Sequence, residues 1–323
     1  MKPAPEMRPG FGAALALLCA AITGGAFIAA KPVLDYLDPL SFSISQFALA
    51  SLFSLLWLLA RRGTADLRRV TPGQWTFLIV VSLLFLGAVY TTWIAISLIP
   101  VTSAGLLSRL EVLFTVFLGM ALLGDRFTRR ETLGAIVMLL GVVVIRYQAP
   151  PSFSAGFWMV VLASALFGVT EVLVKTRVHA IPPDVFTFAR NALVFLFFVL
   201  GALWRVAMGE HAGWSGLADW QGIRRGLPLI VVAALVGPFL ARTIYMYSLR
   251  HLEVSRAALI SQSQPLFVAL YSSILLHALP SRREWMGGVL ILAGALLLVQ
   301  WRHGMSWWRT LRGHAGAAEE ARP

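Results

Sequence analysis

Residues 101–118 read VTSAGLLSRLEVLFTVFL, an oily stretch with Arg109 and Glu111 two residues apart near its middle. Glu171, Arg190 and Arg242 stand in the same way inside later apolar runs. A charged side chain at a membrane-helix centre costs about 2.5–3.5 kcal/mol on insertion scales. Five of them facing lipid would cost more than about 10 kcal/mol, comparable to the whole stability of a domain. These groups must therefore face a bundle interior, where they are paired or wetted by a cavity. Arginines 190 and 242 are suited to grip a carboxylate or phosphate. Glu111 and Glu171 are the groups able to exchange a proton, which makes protons the candidate coupling ion.

The elements that must position these residues are apolar helices. The chain has 323 residues, 58% hydrophobic and 13% charged, with mean hydropathy +0.77. Soluble domains are nearer 45–50% apolar and about 25% charged, so the composition predicts an all-α integral membrane protein. About 20 mostly apolar residues make a span, and ten such runs occur: 11–31, 40–60, 74–98, 102–123, 131–147, 155–177, 184–205, 226–249, 255–277 and 284–301. The first follows Lys2 and Arg8 in the manner of a signal peptide. Its length and its later counterpart identify it instead as an uncleaved span. Trp214 and Trp220, in the longest gap, suit the interface. The tail at 303–323, with Trp307, Trp308, Arg309 and Arg312, is expected at the cytoplasmic membrane surface. Seventeen Lys and Arg fall in segments that a cytoplasmic N-terminus puts inside, against seven outside. The positive-inside rule then places both termini in the cytoplasm of a cell (inner) membrane protein.

The net charge of +12 is spent on that bias. No aromatic-basic platform for nucleic acid is present. The single cysteine, Cys19, allows no internal disulfide and reads as a small packing residue.

The chain also repeats itself. A shift of 144 lays 21-AITGGAFIAAKPVLDYLDPLSFSISQ over 165-ALFGVTEVLVKTRVHAIPPDVFTFAR, with Gly24 on Gly168, Lys31 on Lys175 and Gln46 on Arg190. A shift of 153 lays 101–114 over 254–267, and Gly134 and Gly141 over Gly287 and Gly294. One unit of five spans thus occurs twice, at 11–147 and 155–302, with a seam near RYQAPPSFS. Five is odd, so the second copy enters the membrane inverted. Inverted repeats are a design of secondary transporters with a midplane site between the halves.

Helix geometry orders the polar residues. Positions two apart point about 200° away from each other, so Arg109 and Glu111 cannot pair on one face of a regular helix. Ser108, Glu111 and Thr115 share a face, and their counterparts are Ser261, Gln264 and Val268. Glu111 and Gln264 are expected to face a central pathway from opposite halves, with Arg109 and Gln262 turned toward neighbouring helices. Glu171 and Lys175, four apart, make a favourable helical pair, and Lys31 and Lys175 lie near membrane edges where they snorkel. Arg242 follows a Gly237-Pro238 break, with Tyr245 three residues on. Pro265 removes a backbone donor and is expected to kink or hinge its helix. The four glycines 134, 141, 287 and 294 permit close helix approach.

The fourth and fifth spans of each half read VTSAGLLSRLEVLF…LLGDRFTRRETLGAIVMLLGVVVI and VSRAALISQSQPLF…LLHALPSRREWMGGVLILAGALLLV. These stretches resemble the drug/metabolite transporter superfamily, specifically its EamA-type ten-span carriers, and the resemblance covers about residues 11–302. The departures are Val112 where the second half has Pro265, and Asp125 and Ala278 where the family usually has Glu. The resemblance implies metabolite transport, commonly export, and a cavity lined by spans 3 and 8. That places Tyr90, Trp93 and Tyr245 on the pathway.

The expected function is therefore secondary transport of a small organic solute, anionic or zwitterionic, by alternating access. A lipid or lipid-linked flippase, or a passive channel of the same fold, is the alternative. Nothing in the sequence suggests an enzyme. The six histidines are scattered, no HxxxH or paired-acid motif occurs, and there is no P-loop. No cofactor or metal is expected.

Overall fold

A computed structural model describes residues 9–61, 63–123, 129–146, 154–177, 180–209, 220–248, 251, 260–294 and 296–297. The described residues form helices and short connections. In chain order the helices are α1 (Pro9–Leu34), α2 (Pro39–Ala60), α3 (Thr64–Arg68), α4 (Pro72–Leu98), α5 (Val101–Leu107), α6 (Leu110–Leu123), α7 (Arg129–Arg146), α8 (Ala155–Arg177), α9 (Pro183–Ala207) and α10 (Trp220–Ala234). Helix α10 runs through a π-helical stretch, Leu235–Ala241, into α11 (Arg242–Ser248). After α12 (Gln264–Leu275) comes a last helix, α13, over 282–294.

The starts are written in the sequence. Asp38 Oδ1 accepts from the Leu40 and Ser41 amides at 2.9 and 3.0 Å and caps α2, with Pro39 in the first turn. Thr71 and Gln74 form a reciprocal capping box ahead of α4, again with proline at its head. Proline fits there because its missing N–H has no intrahelical partner at that position.

Six helical stretches are long and apolar enough to cross a bilayer: Gly10–Leu34, Pro39–Ala60, Pro72–Leu98, Ala155–Val174, Pro183–Ala207 and Gln221–Ser248. The run expected as one span over 102–123 is instead broken. Helix α5 ends at Leu107, a turn holds Ser108 and Arg109, and α6 begins at Leu110. The second half breaks at a related place, with a turn at Gln262 and Ser263 before α12. Thr132–Ile145 and Gln264–Leu275 are apolar but shorter. Trp214, the tail at 303–323 and the edges of the last two expected spans lie outside the described residues.

Burial runs opposite to that of a water-soluble bundle. Leu56, Leu140, Leu200, Leu270 and Val289 lie on the outside, while Ser41, Gln46, Ser54 and Asn191 are wholly buried. An apolar exterior around a polar interior is the arrangement hydrocarbon demands.

Glycines set three close contacts. A Cβ on Gly24 of α1 would lie 3.0 Å from Phe267 Cβ of α12, and one on Gly168 of α8 would lie 2.9 Å from Phe114 Cβ of α6. Helices α7 and α13 cross backbone against backbone. A Cβ on Gly287 would lie 2.5 Å from the Gly141 carbonyl oxygen, and one on Gly294 would lie 2.5 Å from that of Gly134. This is the packing role expected of the four glycines. Since the Gly141 carbonyl and the Ile145 backbone occupy the space along with the Ile145 side chain, Gly287→Val forces the helices apart. It should destabilise the protein by about 1–3 kcal/mol, the usual cost of overpacking, read as a lower unfolding midpoint in detergent. Valine at Gly201, which has open space around it, should change that midpoint little.

Candidate functional site

A cavity of about 350 Å³ lies among α1, α2, α4, α6, α8, α9, the π-helical stretch and residues 261–264, and a second of about 210 Å³ shares much of its wall. Arg109, Glu111, Glu171, Arg190 and Arg242 line both. Gln264, Gln262, Trp93 and Tyr245 also line the larger one.

The helix breaks explain how Arg109 gets there. It sits in the turn between α5 and α6, so the spacing rule for a continuous helix does not govern where it points. Its guanidinium donates to the Ser261 carbonyl at 3.1 Å and to Gln264 Oε1 at 2.8 Å, with a longer contact to Ser108 Oγ. Arg109 therefore ties the broken segment of one half to that of the other. Glu111 lies in the first turn of α6, on the cavity wall. Pro265 does not kink a helix interior. It stands in the first turn of α12, where its lost donor costs nothing, and the chain bends just before it at Gln262 and Ser263.

The π-helical stretch supplies the second set of polar contacts. In π register an N–H bonds the carbonyl five residues back, and Pro238 has no N–H. The Ala233 carbonyl is thereby released and accepts from Gln46 Nε2 at 3.3 Å. The Pro238 carbonyl accepts from Arg190 Nη2 at 2.9 Å and from Asn191 Nδ2 at 3.2 Å. Asn191 also accepts from Arg190 and donates to Ser54 Oγ, both at 2.9 Å. The break expected at Gly237-Pro238 is thus a widened helix, its freed carbonyl taken by a side chain. The Arg190 guanidinium carbon lies 4.2 Å from the centroid of the Phe85 ring, and Arg190 is 2% exposed.

Arg242 follows the π stretch directly. It forms an ion pair with Glu171, with Nη1 3.9 Å from Oε2. It also faces the rings of Phe186 and Tyr245 at 5.4 and 5.7 Å. Tyr245 donates to Glu171 Oε1 at 3.3 Å. The expected partner of Glu171, the Lys175 ammonium, lies outside the described side chains. Lys31 meets Asp35 at 3.0 Å near the end of α1.

Trp93 lines the cavity and packs edge-to-face on Phe27 and Phe42. Tyr90, expected on the pathway with it, is not on the wall. Three residues earlier on α4, its ring packs edge-to-face on Phe198 instead. The sequence reading gave no site role to Cys19, Gln46, Asn191 or Phe85. Gln46 had a signal, as the repeat counterpart of Arg190, and so did Asn191, a polar residue at mid-span. Cys19 lines the cavity and donates to the Ala241 carbonyl at 3.2 Å. No metal-holding group of three His, Cys, Asp or Glu occurs among the described residues.

The profile of the EamA-like transporter family matches residues 10–147 and again 154–300. The chain belongs to the EamA-like transporter family. It is accordingly a multi-pass membrane transporter, with a small-molecule solute and the lipid bilayer as its partners. Among its relatives, "Uncharacterized transporter sll1164" of Synechocystis is 25% identical over 242 residues, 72% of this chain and 67% of the relative. "Pseudopaline exporter CntI" of Pseudomonas aeruginosa is 29% identical over 147 residues, 45% of this chain and 46% of the exporter. The chain thus spans about two thirds of the first relative and under half of the second. A solved structure titled "Crystal structure of protein" shares the fold, with TM-score 0.61 and 20% identity, covering 92% of this chain and all of the other.

Removing Arg109 leaves the Ser261 carbonyl and Gln264 Oε1 without their donor. Arg109→Leu should cost about 1–3 kcal/mol of stability, the range for buried acceptors left unmade. The same change in a Gln264→Leu background should cost less, because the two share one contact. Unfolding midpoints of the four proteins in the cycle check this.

Proposed function

We propose that the chain is a secondary transporter that exports a small organic metabolite, anionic or zwitterionic, by alternating access through the cavity between two inverted five-helix units, 11–147 and 155–302. The observation that carries this reading is the cavity itself. It gathers five mid-span charges contributed by both halves, where hydrocarbon tolerates none.

Ten spans follow if the broken segments and the two short apolar helices each cross with their neighbours. An inverted relation is supported by contacts that exchange under the repeat shifts. Gly24 meets Phe267 as Gly168 meets Phe114, and Gly141 meets Gly287 and Ile291 as Gly294 meets Gly134 and Met138. The family profile also matches two successive stretches, and paired discontinuous helices at a midplane site are a transporter design. Export is supported by one relative, which is named an exporter. The positive-inside count favours a cell (inner) membrane with both termini in the cytoplasm. The remaining residues of the site take roles by position. Glu111, Gln264 and Gln262 face the pathway, Pro265 marks the hinge, Trp93 and Tyr245 line the wall, and Glu171 or Glu111 takes up and releases a proton that couples to transport.

The test has two parts. Comparison of the medium from cells with and without the gene identifies the solute, which should accumulate outside only when the protein is made. Flux of that solute into liposomes should then depend on a pH gradient, and Glu111→Gln or Glu171→Gln should abolish the dependence. Unchanged pH dependence in both variants would remove the proton role. Movement of a labelled lipid without movement of any soluble solute would replace the carrier by a flippase.

A further inference from the structure

Resting on the transporter reading, the structure assigns a carboxylate-anchoring subsite to Arg190, and with it a singly charged anion as the preferred form of the solute. The argument begins with the company this guanidinium keeps. Arg190 is 2% exposed, yet among the described residues its hydrogen-bond partners are neutral: the Asn191 amide oxygen and the Pro238 carbonyl. Nη2 makes both bonds. Nε is buried with no acceptor, and Nη1 bonds no described residue. A buried cation that lacks a counter-ion is the costly case, since the interior replaces neither its hydration nor its balancing charge.

The nearby carboxylates do not fill that place. Glu171 is engaged by Tyr245 at Oε1 and faces Arg242 at Oε2. Glu111 lies on the same wall, in the first turn of α6. Among the described residues the cavity carries three guanidinium groups, Arg109, Arg190 and Arg242, against these two carboxylates. With both carboxylates ionised, the excess is one positive charge. A monoanion balances it, whereas a cation raises it and a dianion reverses it.

The rest of the anchor fits a carboxylate attached to a flat apolar body. One face of the Arg190 guanidinium is taken by the Phe85 ring at 4.2 Å, so the ligand meets its edge, where N–H groups point. Phe27, Phe47, Phe167 and Trp93 supply apolar wall, and Trp93 Nε1 is a buried donor with no acceptor. The repeat adds a comparison within the molecule. The counterpart of Arg190 is Gln46, which faces the same π-helical stretch and bonds the Ala233 carbonyl. The subsite thus exists in a charged and a neutral version, one from each half. Only the charged version calls for an anion.

Thermal unfolding of the purified chain in detergent tests this with three isosteres: benzoate, benzamide and benzylamine, each at matched ionic strength against sodium chloride. Benzoate should raise the unfolding midpoint in a saturable way. Its apparent affinity should exceed that of benzamide by at least about tenfold, the ratio one charge-assisted hydrogen bond supports, and benzylamine should give no stabilisation. Arg190→Gln, which copies the residue found at Gln46, should fold and lose the benzoate preference. Arg190→Lys keeps the charge and should keep the preference, and it decides the matter if Arg190→Gln shows no cooperative transition. Equal effects of benzoate and benzamide on the natural protein, or a preference that survives Arg190→Gln, would overturn the assignment. The measurement needs no transport. A protein that prefers benzoate but moves no solute across liposomes would refute the carrier reading and leave the anion subsite standing, and flux of a neutral solute with no preference among the three probes would do the reverse.

Discussion

The constraint on which the rest of this molecule depends is that hydrocarbon cannot solvate a guanidinium group. Arg109, Arg190 and Arg242 lie in the interior of a bundle whose outside is leucine, valine and phenylalanine. Each must find oxygen atoms or ring faces inside the protein, or water in a cavity. Regular helices offer few, because their carbonyls are consumed by their own N–H groups. The fold releases carbonyls by departing from regularity. Breaks before α6 and α12 expose the Ser261 oxygen to Arg109, and the widened stretch at Leu235–Ala241 exposes the Ala233 and Pro238 oxygens to Gln46 and Arg190.

Those irregularities therefore coincide with the cavity for a physical reason. Irregular backbone at membrane depth is tolerated only where it is buried in protein or borders a water-filled space. A regular α-helix through residues 235–241 would leave Arg190 and Asn191 without a shared acceptor, and an unbroken helix through 102–123 would turn Arg109 elsewhere. Polar wall, freed backbone and cavity are one arrangement seen from three sides.

How much of this was legible in the sequence follows from the same constraint. Mid-span arginines and glutamates announce themselves because hydrocarbon penalises them, so Arg109, Glu111, Glu171, Arg190 and Arg242 could be placed inside a bundle without coordinates. Paired glycines seven residues apart on apolar runs announce close helix approach for a similar reason. The local backbone was harder. Nothing in LLSRLEV marks a turn, since neither proline nor glycine stands at Ser108 or Arg109. Pro238 points to a break but does not distinguish a kink from a π-helical stretch. Pro265 looks like an interior kink only until the turn before it is known. Phe85 was invisible as a cation's platform because it is one of 20 phenylalanines. Tyr90 and Trp93 differ by three residues on one helix, and which of them reaches the cavity depends on the rotation of α4 against its neighbours.

The crossing of α7 and α13 has a consequence of another kind. Where two helices meet through interlocked side chains, any relative shift must lift knobs out of holes and change rotamers along the way. Here main chain lies on main chain at Gly134, Gly141, Gly287 and Gly294, with the side chains of Met138, Ile145 and Ile291 set against the glycines. So close a seam leaves little slack, and sliding one helix along the other would drive Met138, Ile145 and Ile291 against the opposite backbone.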